Sequence, residues 1–322
     1  MKAAVYYETG PPDVFRIEEL PDPPCGPDGV VLDVKAVSIE GGDVLSRAGG
    51  DMASKPHIVG YQCAGTIREV GANVTDRVVG QDVVAVMPHG SHASVFSVPA
   101  VQTWLVPAGL ELQQAACVPI PFGTAADCLF EFGRLQSGET VLIQAGASGV
   151  GLAAIQLAKR AGATVLATAS SDEKLARLRE FGLDHGINYR EADLVVEAQK
   201  ITDGKGVNLV VDTVGGRTLQ QSIECLGYRG RVISVGNAGR DQSVPDTRPL
   251  SAGNKSLTGV SLALEMLAQS GRVRPMVEKH LADVAGGGLK VVIDRMFPLA
   301  EAAAAHTYIE SRQAFGRVLL LP

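Results

Sequence analysis

The sequence predicts an α/β protein in which a β-rich segment precedes a doubly wound parallel sheet. Two observations lead to this prediction. Over the first third of the chain, short alternating or apolar runs are separated by Gly and Pro, as in Gly10-Pro11-Pro12. From about Pro119, apolar runs alternate with amphipathic stretches of helical length. That alternation is typical of crossover units whose parallel strands are covered by helices on both faces.

Each predicted element follows from this pattern. The predicted strands of the first third are residues 3–7, 30–36, 63–70, 82–87 and 93–98. In the central part, strands 140–145, 164–169, 186–188, 208–213, 231–235 and 257–261 alternate with helices 150–161, 173–181, 192–201 and 219–226. From about Leu262 the tail adds two helices, a strand at 290–297, a helix at 300–311 and a strand at 317–321. We therefore expect a discontinuous domain of residues 1–119 and 262–322, a second domain of residues 120–261, and a cleft at their junction.

Length and composition exclude several classes of protein. The chain has 322 residues, enough for two domains with separate cores. Its net charge of −6, without clusters of Lys or Arg, argues against nucleic acid or an anionic membrane as the main partner. Its apolar runs fall far short of the ~20 residues that cross a bilayer, and the first residues form a strand pattern rather than a signal peptide. Five scattered cysteines without a Cys-x-x-Cys spacing predict a reducing, cytoplasmic location.

The most specific local motif is a glycine-rich turn between a predicted strand and a predicted helix. It includes Gly146, Ser148, Gly149, Val150 and Gly151. Glycines let the backbone turn tightly, let a pyrophosphate approach the helix N-terminus, and let the helix pack closely against the sheet. The spacing is Gly-x-x-Gly-x-Gly rather than the usual Gly-x-Gly-x-x-Gly, so an ordinary packing turn is the alternative. The flanking strand and helix favour a dinucleotide site.

The end of the second parallel strand indicates which dinucleotide is bound. An NAD site presents Asp or Glu to the ribose about 20 residues after the turn. This chain instead has Ser170 and Ser171, with Lys174 one helical turn later. Because hydroxyls and a cation suit a 2′-phosphate, NADPH is the predicted cofactor. Asp172 and Glu173 fit the first turn of the next helix, and a solvated helix lysine is the alternative for Lys174.

Several further motifs occur in a recognisable order. They are Gln156 with Ala158-Lys159, Gly162-Ala163, residues 167–174, Ile187-Asn188-Tyr189, residues 204–216, an opening Met-Lys-Ala-Ala-Val strand and a closing Gly316-Arg317 strand. Over essentially the whole chain, this order resembles the medium-chain dehydrogenase/reductase superfamily, and within it the zinc-independent quinone oxidoreductase (zeta-crystallin-like) branch. The resemblance implies a Rossmann domain that binds NADPH, a GroES-like catalytic domain, and a homodimer joined through the sixth parallel strand.

The resemblance also adds residues to the predicted cofactor site. It implies that Thr124 backs the nicotinamide and that Tyr189 lies over the adenosine side. A helix-start hydroxyl and a packing aromatic are the respective alternatives. The remaining predicted cofactor residues lie at the carboxyl ends of strands, where open parallel sheets place ligands. These residues are Val214, Gly236, Asn237 and Val260.

Zinc-dependent relatives carry a Cys in an early loop, a Gly-His-Glu and a four-Cys lobe. This chain has no Cys in the loop at 38–43, and Gly60-Tyr61-Gln62 replaces Gly-His-Glu with a phenol and an amide, which are poor ligands for Zn²⁺. His89 and His92 are expected to be surface residues of a short loop, and Cys63 a core thiol. We therefore predict no metal site.

The early loop supplies the predicted catalytic residues. Glu40, Asp43 and Arg47 match the family's Asn-x-x-Asp-x-x-x-Arg, except that Glu40 replaces the Asn that borders the nicotinamide and substrate by resemblance. Glu40 is open to four interpretations: a proton donor with a raised pKa, a selector of substrates with a donor group, a partner for a nearby cation, or a solvent-facing loop residue. Tyr61 either donates to a developing oxygen or fills the vacated metal pocket. With Thr124, these residues form the predicted catalytic set of Glu40, Asp43, Tyr61 and Thr124.

The predicted reaction follows from the missing zinc ligands. Without a Lewis acid to polarise an alcohol, we expect hydride transfer from NADPH to an acceptor that is already electrophilic. A small hydrophobic quinone is the expected substrate. Reduction of an enone or an enoyl thioester on the same scaffold is the alternative, and a nucleotide-binding protein with negligible turnover is a third hypothesis of another class.

Overall fold

The protein is described by a computed structural model that covers residues 1–322. Its strands are β1 (Lys2–Tyr6), β2 (Arg16–Glu19), β3 (Gly29–Ser38), β4 (His57–Ile58), β5 (Gln62–Val70), β6 (Asp82–Val86), β7 (Val95–Pro99), β8 (Thr103–Leu105), β9 (Thr140–Ile143), β10 (Thr164–Ala169), β11 (His185–Asn188), β12 (Val207–Asp212), β13 (Leu226–Ser234), β14 (Ser256–Gly259), β15 (Ile293–Pro298) and β16 (Arg317–Leu321). Its helices are α1 (Gly41–Gly49), α2 (Leu112–Ala115), α3 (Pro119–Ala126), α4 (Gly149–Arg160), α5 (Asp172–Leu178), α6 (Leu194–Ile201), α7 (Gly216–Glu224), α8 (Leu262–Ala268), α9 (Ser270–Ala285) and α10 (Ala302–Glu310). None of these helices combines the length and the apolar character needed to span a membrane.

The chain divides into two compact units. Unit 1 contains Met1–Ile120 and Gln269–Pro322, and unit 2 contains Pro121–Ala268. The second junction lies seven residues beyond the expected position at 261, because α8 groups with unit 2. The first junction lies within one residue of the expected position.

Unit 1 is built around a seven-stranded sheet with the order β15-β16-β3-β5-β6-β8, in which β7 also pairs with β3. All of its pairs are antiparallel except β15–β16. A smaller antiparallel sheet has the order β2-β1-β4. Alternate residues of β3, among them Leu32 and Val34, enter a core that also contains Val318 and Leu320 of β16. The closing strand thus completes the sheet that the first third of the chain begins, and the tail is part of the core of unit 1.

Unit 2 contains one parallel six-stranded sheet with the order β11-β10-β9-β12-β13-β14. The central strands β9, β10 and β12 are almost continuously apolar, as expected for strands whose two faces are both covered by helices. Leu142, Leu166, Val210 and Val232 form its core with Ile223 of α7. The predicted doubly wound parallel sheet of unit 2 and the predicted β-rich domain, unit 1, are confirmed.

The structure contains elements that the sequence pattern did not predict, namely β2, β4, β8, α2, α3 and a helix that begins at residue 41. The segment described as an early loop becomes helix α1 from Gly41 onward, with Glu40 at its N-cap position. Gly is a poor helix former, so the two glycines at the start of this helix lower the helix propensity of the segment, and the sequence pattern does not predict it. Thr124 was expected at the start of a helix, but α3 begins at Pro119, so Thr124 lies inside it.

Candidate functional site

The glycine turn of unit 2 places the N-terminus of α4 at the carboxyl edge of the sheet. Ser148 is the N-cap, and its hydroxyl accepts a hydrogen bond of 3.0 Å from the N–H of Gly151. A Cβ on Gly151 would lie 2.4 Å from the carbonyl oxygen of Ala145, and one on Gly146 would lie 2.8 Å from the Cβ of Ala167. These two glycines therefore let the helix pack against the strand, while Ser148, Gly149 and the next residue, Val150, remain partly accessible. A helix N-terminus of this kind favours an anionic ligand.

The end of β10 carries hydroxyls and no acidic side chain. Ser171 caps α5, and its hydroxyl accepts from the N–H of Lys174 at 3.3 Å. Its own hydroxyl proton is not used by that bond and can be donated to a ligand. The carboxylate of Asp172 accepts from the side-chain amide of Asn188 at 3.1 Å. Ser170 and Ser171 thus lie on a partly accessible loop, and Lys174 lies in the first turn of α5, one helical turn later, as the sequence analysis expected.

Apart from Thr124, the other predicted cofactor residues lie at the same edge of the sheet. Tyr189 directly follows β11, its N–H bonds to the carbonyl of Ala169 at 3.2 Å, and its ring is exposed. Val214 follows β12, Gly236 and Asn237 follow β13, and Val260 follows β14. Val260 was expected on the sixth strand, but that strand ends at Gly259, and Val260 bonds to the carbonyl of Ser234 just beyond it. Thr124 is a buried residue of α3.

In unit 1, Glu40 is buried rather than facing solvent from a loop. Its Oε1 accepts hydrogen bonds from the guanidinium of Arg317 and from the amide of Gln62. Arg317 also donates to the hydroxyl of Ser38 at 2.7 Å and to the carbonyl of Ile39 at 2.6 Å. Burial raises the pKa of Glu40, although Arg317 and Gln62 act in the opposite direction. Two donors on one oxygen suit a carboxylate that accepts hydrogen bonds, and the interpretation of Glu40 as a partner for a cation is the one this geometry fits.

Asp43 lies three residues further on, with different surroundings. It is fully buried, its Oδ2 accepts from the N–H of Glu40 at 2.8 Å, and its Oδ1 has no hydrogen-bond partner. Burial raises the pKa of Asp43 well above its usual range, because no cation contacts it directly. Arg47, which the sequence motif places beside it, instead donates to Glu310 and to the carbonyl of Gly10.

Tyr61 packs against the first turn of α1. Its hydroxyl shares a long hydrogen bond of 3.4 Å with Ser46, and its ring lies over Gly42. Burial raises the pKa of this phenol, so it is neutral at physiological pH. Its neutral hydroxyl is a possible donor, but one already oriented by Ser46.

Two buried groups were missed by the sequence analysis. Arg317 is separated from Glu40 by 277 residues, and no local pattern relates them. His92 was expected at the surface, as His89 is, but it is fully buried and its Nε2 lies 3.1 Å from the Nε2 of His306. The tail helix α10 covers the loop that carries His92, which a single-sequence reading of that loop cannot reveal. Cys63 is a buried core thiol, as predicted.

No three His, Cys, Asp or Glu side chains come together in a way that could hold a metal ion. The positions that would supply two ligands in zinc-dependent relatives hold the phenol of Tyr61 and the amide of Gln62. The absence of a metal stays a prediction for measurement.

Comparisons with known proteins agree with this architecture. The sequence-family model for the alcohol dehydrogenase GroES-like domain matches residues 26–108. The sequence-family model for the zinc-binding dehydrogenase matches residues 149–278. A 2-haloacrylate reductase from a Burkholderia species is 35% identical over 99% of this chain and 98% of its own length. The crystal structure of Escherichia coli quinone oxidoreductase complexed with NADPH superposes with a TM-score of 0.95 at 29% identity, covering all of both chains. A quinone oxidoreductase from Pseudomonas syringae gives 0.94 at 29% identity, covering 100% of this chain and 99% of that one.

The parallel sheet, the glycine turn and the β-rich unit together define an oxidoreductase of the two-domain α/β type. The structural similarity to the E. coli quinone oxidoreductase covers the whole of this chain. The chain belongs to the medium-chain dehydrogenase/reductase superfamily and to its zinc-independent quinone oxidoreductase-like branch.

Proposed function

We propose that the protein is an NADPH:quinone oxidoreductase. The overall reaction is quinone plus NADPH plus a proton giving hydroquinone and NADP⁺. The observation that carries this proposal is the state of Glu40, the residue that replaces the family's Asn. Arg317 and Gln62 both donate to its Oε1, and the ion pair with Arg317 favours the carboxylate form, which accepts hydrogen bonds, over a proton donor. An acceptor whose reduction needs no protein acid at the hydride step fits such a site best.

The residues of unit 2 fit NADPH. The accessible start of α4 with Ser148, Gly149 and Val150 would take the pyrophosphate, and Ser170, Ser171 and Lys174 would take the 2′-phosphate. The loop at Gly215 has no room for a side chain, because a Cβ there would meet the side chain of Asn237 at 2.7 Å. NADPH supplies a hydride when bound, and the contribution of the chain is to bind and orient it. The crystallised E. coli quinone oxidoreductase with NADPH supports this choice of cofactor.

A quinone suits the group of Glu40, Asp43 and Tyr61 in unit 1, because the hydroquinone anion that forms on reduction is a weak base. Water can protonate it after the hydride has arrived. In the proposed site, the neutral hydroxyl of Tyr61 orients the acceptor through a hydrogen bond, and Glu40 and Asp43 hold the first turn of α1 in place. Thr124, buried in α3, would back the nicotinamide.

Reduction of a carbon–carbon double bond conjugated to a carboxylate is the second candidate. The 2-haloacrylate reductase that is 35% identical to this chain supports it. In such a reaction the hydride adds to the β carbon and a proton must reach the α carbon. Its intermediate is more basic than a hydroquinone anion, so general-acid help is worth roughly 10²–10⁴-fold. Tyr61 is the phenol that would supply that proton.

Steady-state NADPH oxidation with a panel of quinones, enones and 2-chloroacrylate tests the proposal. Tyr61→Phe and Glu40→Gln should leave quinone turnover within about tenfold of the wild type, whereas a double-bond reductase should lose at least about 100-fold with Tyr61→Phe. Tyr228→Phe, at an exposed tyrosine, is the matched control. A hundredfold loss of quinone turnover in either variant, with unchanged NADPH affinity, would contradict a donor-free mechanism. If none of these acceptors supports NADPH oxidation, the result would favour a nucleotide-binding role.

We also propose that unit 1 is the catalytic domain, that unit 2 binds the cofactor, and that the protein is a cytoplasmic homodimer. The outer edge of β14 is unpaired in the sheet order, and the next helix exposes Leu264 and Leu267. A second copy pairing along this strand would bury an edge that otherwise promotes aggregation. Light scattering should give twice the mass of one chain. A monomer at micromolar concentration would contradict the dimer.

A further inference from the structure

A continuous series of buried hydrogen bonds crosses the carboxyl edge of the sheet in unit 2. The hydroxyl of Thr168 in β10 accepts from the N–H of Ala145 at 3.0 Å and lies 2.8 Å from the side-chain carbonyl of Gln144. The amide of Gln144 donates to the hydroxyl of Ser222 in α7 at 3.0 Å. That hydroxyl lies 2.7 Å from Oδ2 of Asp212, the last residue of β12. The four side chains are each at most 2% exposed. We call them the Thr168–Asp212 network.

The network ends in a second loop at the same edge. Oδ1 of Asp212 accepts from the N–H groups of Val214 and Gly215, both at 2.8 Å. The first of the two loops has an unusual backbone. Ala145 has a φ of 52°, which is rare for a residue with a Cβ and persists only where surrounding contacts hold it. In the second loop, Gly215 has a φ of 76°, which glycine adopts readily.

The hydrogen bonds of the network run in one direction. Since Thr168 accepts from Ala145, its hydroxyl proton points to Gln144. Since Ser222 accepts from Gln144, its proton points to Asp212. Every link therefore has one allowed donor, and the series ends on a carboxylate that only accepts when ionised. Series of this kind polarise one another, and removing one member leaves its neighbours buried and unpaired.

The placement of the network gives it a role beyond packing. One end fixes Ala145, at the start of the glycine turn that leads to α4, and the other fixes the loop that contains Val214. Both loops belong to the predicted cofactor site, but they follow different strands, β9 and β12. An apolar core would stabilise the sheet equally well, but it would not set the two loops relative to each other.

We propose that Thr168, Gln144, Ser222 and Asp212 act as one positioning unit that presets these two loops for the dinucleotide. The inference rests on the proposed binding of NADPH. None of the four side chains needs to touch the ligand, because they act through the backbone of the loops. Their loss should therefore weaken binding through the geometry of the site rather than through a lost contact.

Matched variants of Thr168 and Ser222 test this role. Thr168→Val keeps the shape but removes the hydroxyl, and Thr168→Ser keeps the hydroxyl. We expect Thr168→Val to raise the dissociation constant of NADPH, measured by nicotinamide fluorescence, by about five- to tenfold, and Thr168→Ser to restore it to within about twofold. Ser222 bonds to the side chains of Gln144 and Asp212, and Ser222→Ala should raise the dissociation constant of NADPH similarly. Thr164→Val, at the amino end of the same strand, is the control without an effect. The KM for NADPH should rise in parallel, with kcat within about twofold.

Two further measurements separate positioning from general stability. In a double-mutant cycle, Thr168→Val with Ser222→Ala should weaken binding about as much as either change alone, since both interrupt the same series. In the free protein, Ser222→Ala should speed amide hydrogen exchange in peptides that cover residues 144–148 and 213–216. If the variants lower the melting temperature but bind NADPH as tightly as the wild type, the positioning role is wrong while the proposed function stands. If the wild type itself binds no NADPH, the proposed function fails.

Discussion

Glu40 and Asp43 are buried carboxyl groups three residues apart, and their hydrogen-bond partners differ. Glu40 receives a guanidinium and an amide, which compensate a charge that burial would otherwise disfavour. Asp43 receives one backbone N–H and has a second oxygen without a partner, so burial favours its protonated form. Arg317 thus opposes the effect of burial on the pKa of Glu40 through a direct ion pair, whereas no cation contacts Asp43, and its pKa is raised well above the usual range.

The Glu40–Arg317 pair should be sensitive to the loss of one partner. Arg317→Met leaves a buried carboxylate without its cation and should lower the unfolding free energy by about 3–5 kcal/mol. Glu40→Gln combined with Arg317→Met should recover part of this loss. Arg68→Met, which breaks surface ion pairs, should cost less than about 1 kcal/mol. Urea unfolding monitored by circular dichroism provides the measurement. An equal effect of Arg317→Met and Arg68→Met would show that the buried pair is not required.

Lys174 should determine the preference between the two dinucleotides. Lys174→Ala removes a charge-assisted contact of order 1.5–3 kcal/mol from NADPH binding and little from NADH binding. Lys205→Ala, at an exposed lysine before the amino end of β12, removes the same charge and should change neither affinity. Fluorescence titration with both dinucleotides checks the result. Equal binding of NADPH and NADH by the wild type, or equal weakening of both by Lys174→Ala, would show the assignment to be wrong.

Helix α1 begins with two adjacent glycines that have different surroundings. A Cβ on Gly42 would lie 2.3 Å from the ring of Tyr61, whereas one on Gly41 would meet nothing within 4 Å. The close approach brings the backbone of the helix against the phenol. Ser46, one turn later, then bonds to the hydroxyl. The element therefore orients Tyr61 by shape and by one hydrogen bond.

Alanine at these two glycines should have opposite effects. Gly42→Ala should displace the ring of Tyr61 and cost about 1–3 kcal/mol of unfolding free energy. Gly41→Ala should be neutral or should stabilise the protein by up to about 1 kcal/mol, because it reduces the freedom of the unfolded chain. Melting temperatures of the two variants, together with the KM for the quinone, provide the comparison. An effect of the same size in both would mean that contact with Tyr61 is not the cause.

At the scale of the whole molecule, unit 1 is closed by contacts between residues far apart in sequence. The buried pair of His92 and His306 joins a loop of the first third to the tail helix, 214 residues later. Burial lowers the pKa of His92 to about 3 and the pKa of His306 well below its ordinary value. Both imidazoles are therefore neutral in the folded protein at physiological pH.

This pair predicts a loss of stability in mild acid. In the unfolded chain the imidazole of His92 takes up a proton near pH 6.5, while the folded protein does not until about pH 3. Stability should therefore be unaffected above pH 6.5 and should fall as the pH drops below it, by about 2 kcal/mol at pH 5 for His92 alone. The raised pKa of Asp43 acts in the opposite direction in this range, since stability from a retained proton is lost as the pH rises.

A variant with both histidines changed to leucine separates the two contributions, because Asp43 is present in it and in the wild type. The difference in unfolding free energy between the two proteins should change with pH only below about 6.5. His89→Gln, at an exposed histidine, should follow the wild type. A difference that does not depend on pH between 5 and 8 would show that the pair does not titrate on unfolding.

The absence of zinc is also a prediction for the whole molecule. Tyr61 and Gln62 replace the imidazole and carboxylate of zinc-dependent relatives, and neither is a good zinc ligand. Elemental analysis should find far less than one zinc per chain, and a chelator should leave NADPH oxidation intact. A zinc-dependent dehydrogenase treated with the same chelator is the control. One zinc per chain, lost together with activity, would contradict the prediction.

The sequence by itself determined the parallel sheet, the glycine turn and the family. These follow from local information: apolar strands alternating with amphipathic helices, glycines at a helix start, and motifs in a fixed order. It also placed Ser170 and Ser171 after the second parallel strand and Lys174 one helical turn later, because the three are close in sequence.

Only the tertiary structure decided what surrounds Glu40, His92 and the Thr168–Asp212 network. Arg317 reaches Glu40 because the closing strand β16 pairs with β3, and His306 reaches His92 because the tail helix packs on the first third. Thr168, Gln144, Ser222 and Asp212 meet because β10, β9 and β12 are neighbours in an order that differs from their order in the chain. Burial, charge compensation and hydrogen bonding depend on neighbours in space, and the local pattern of a sequence does not contain those neighbours.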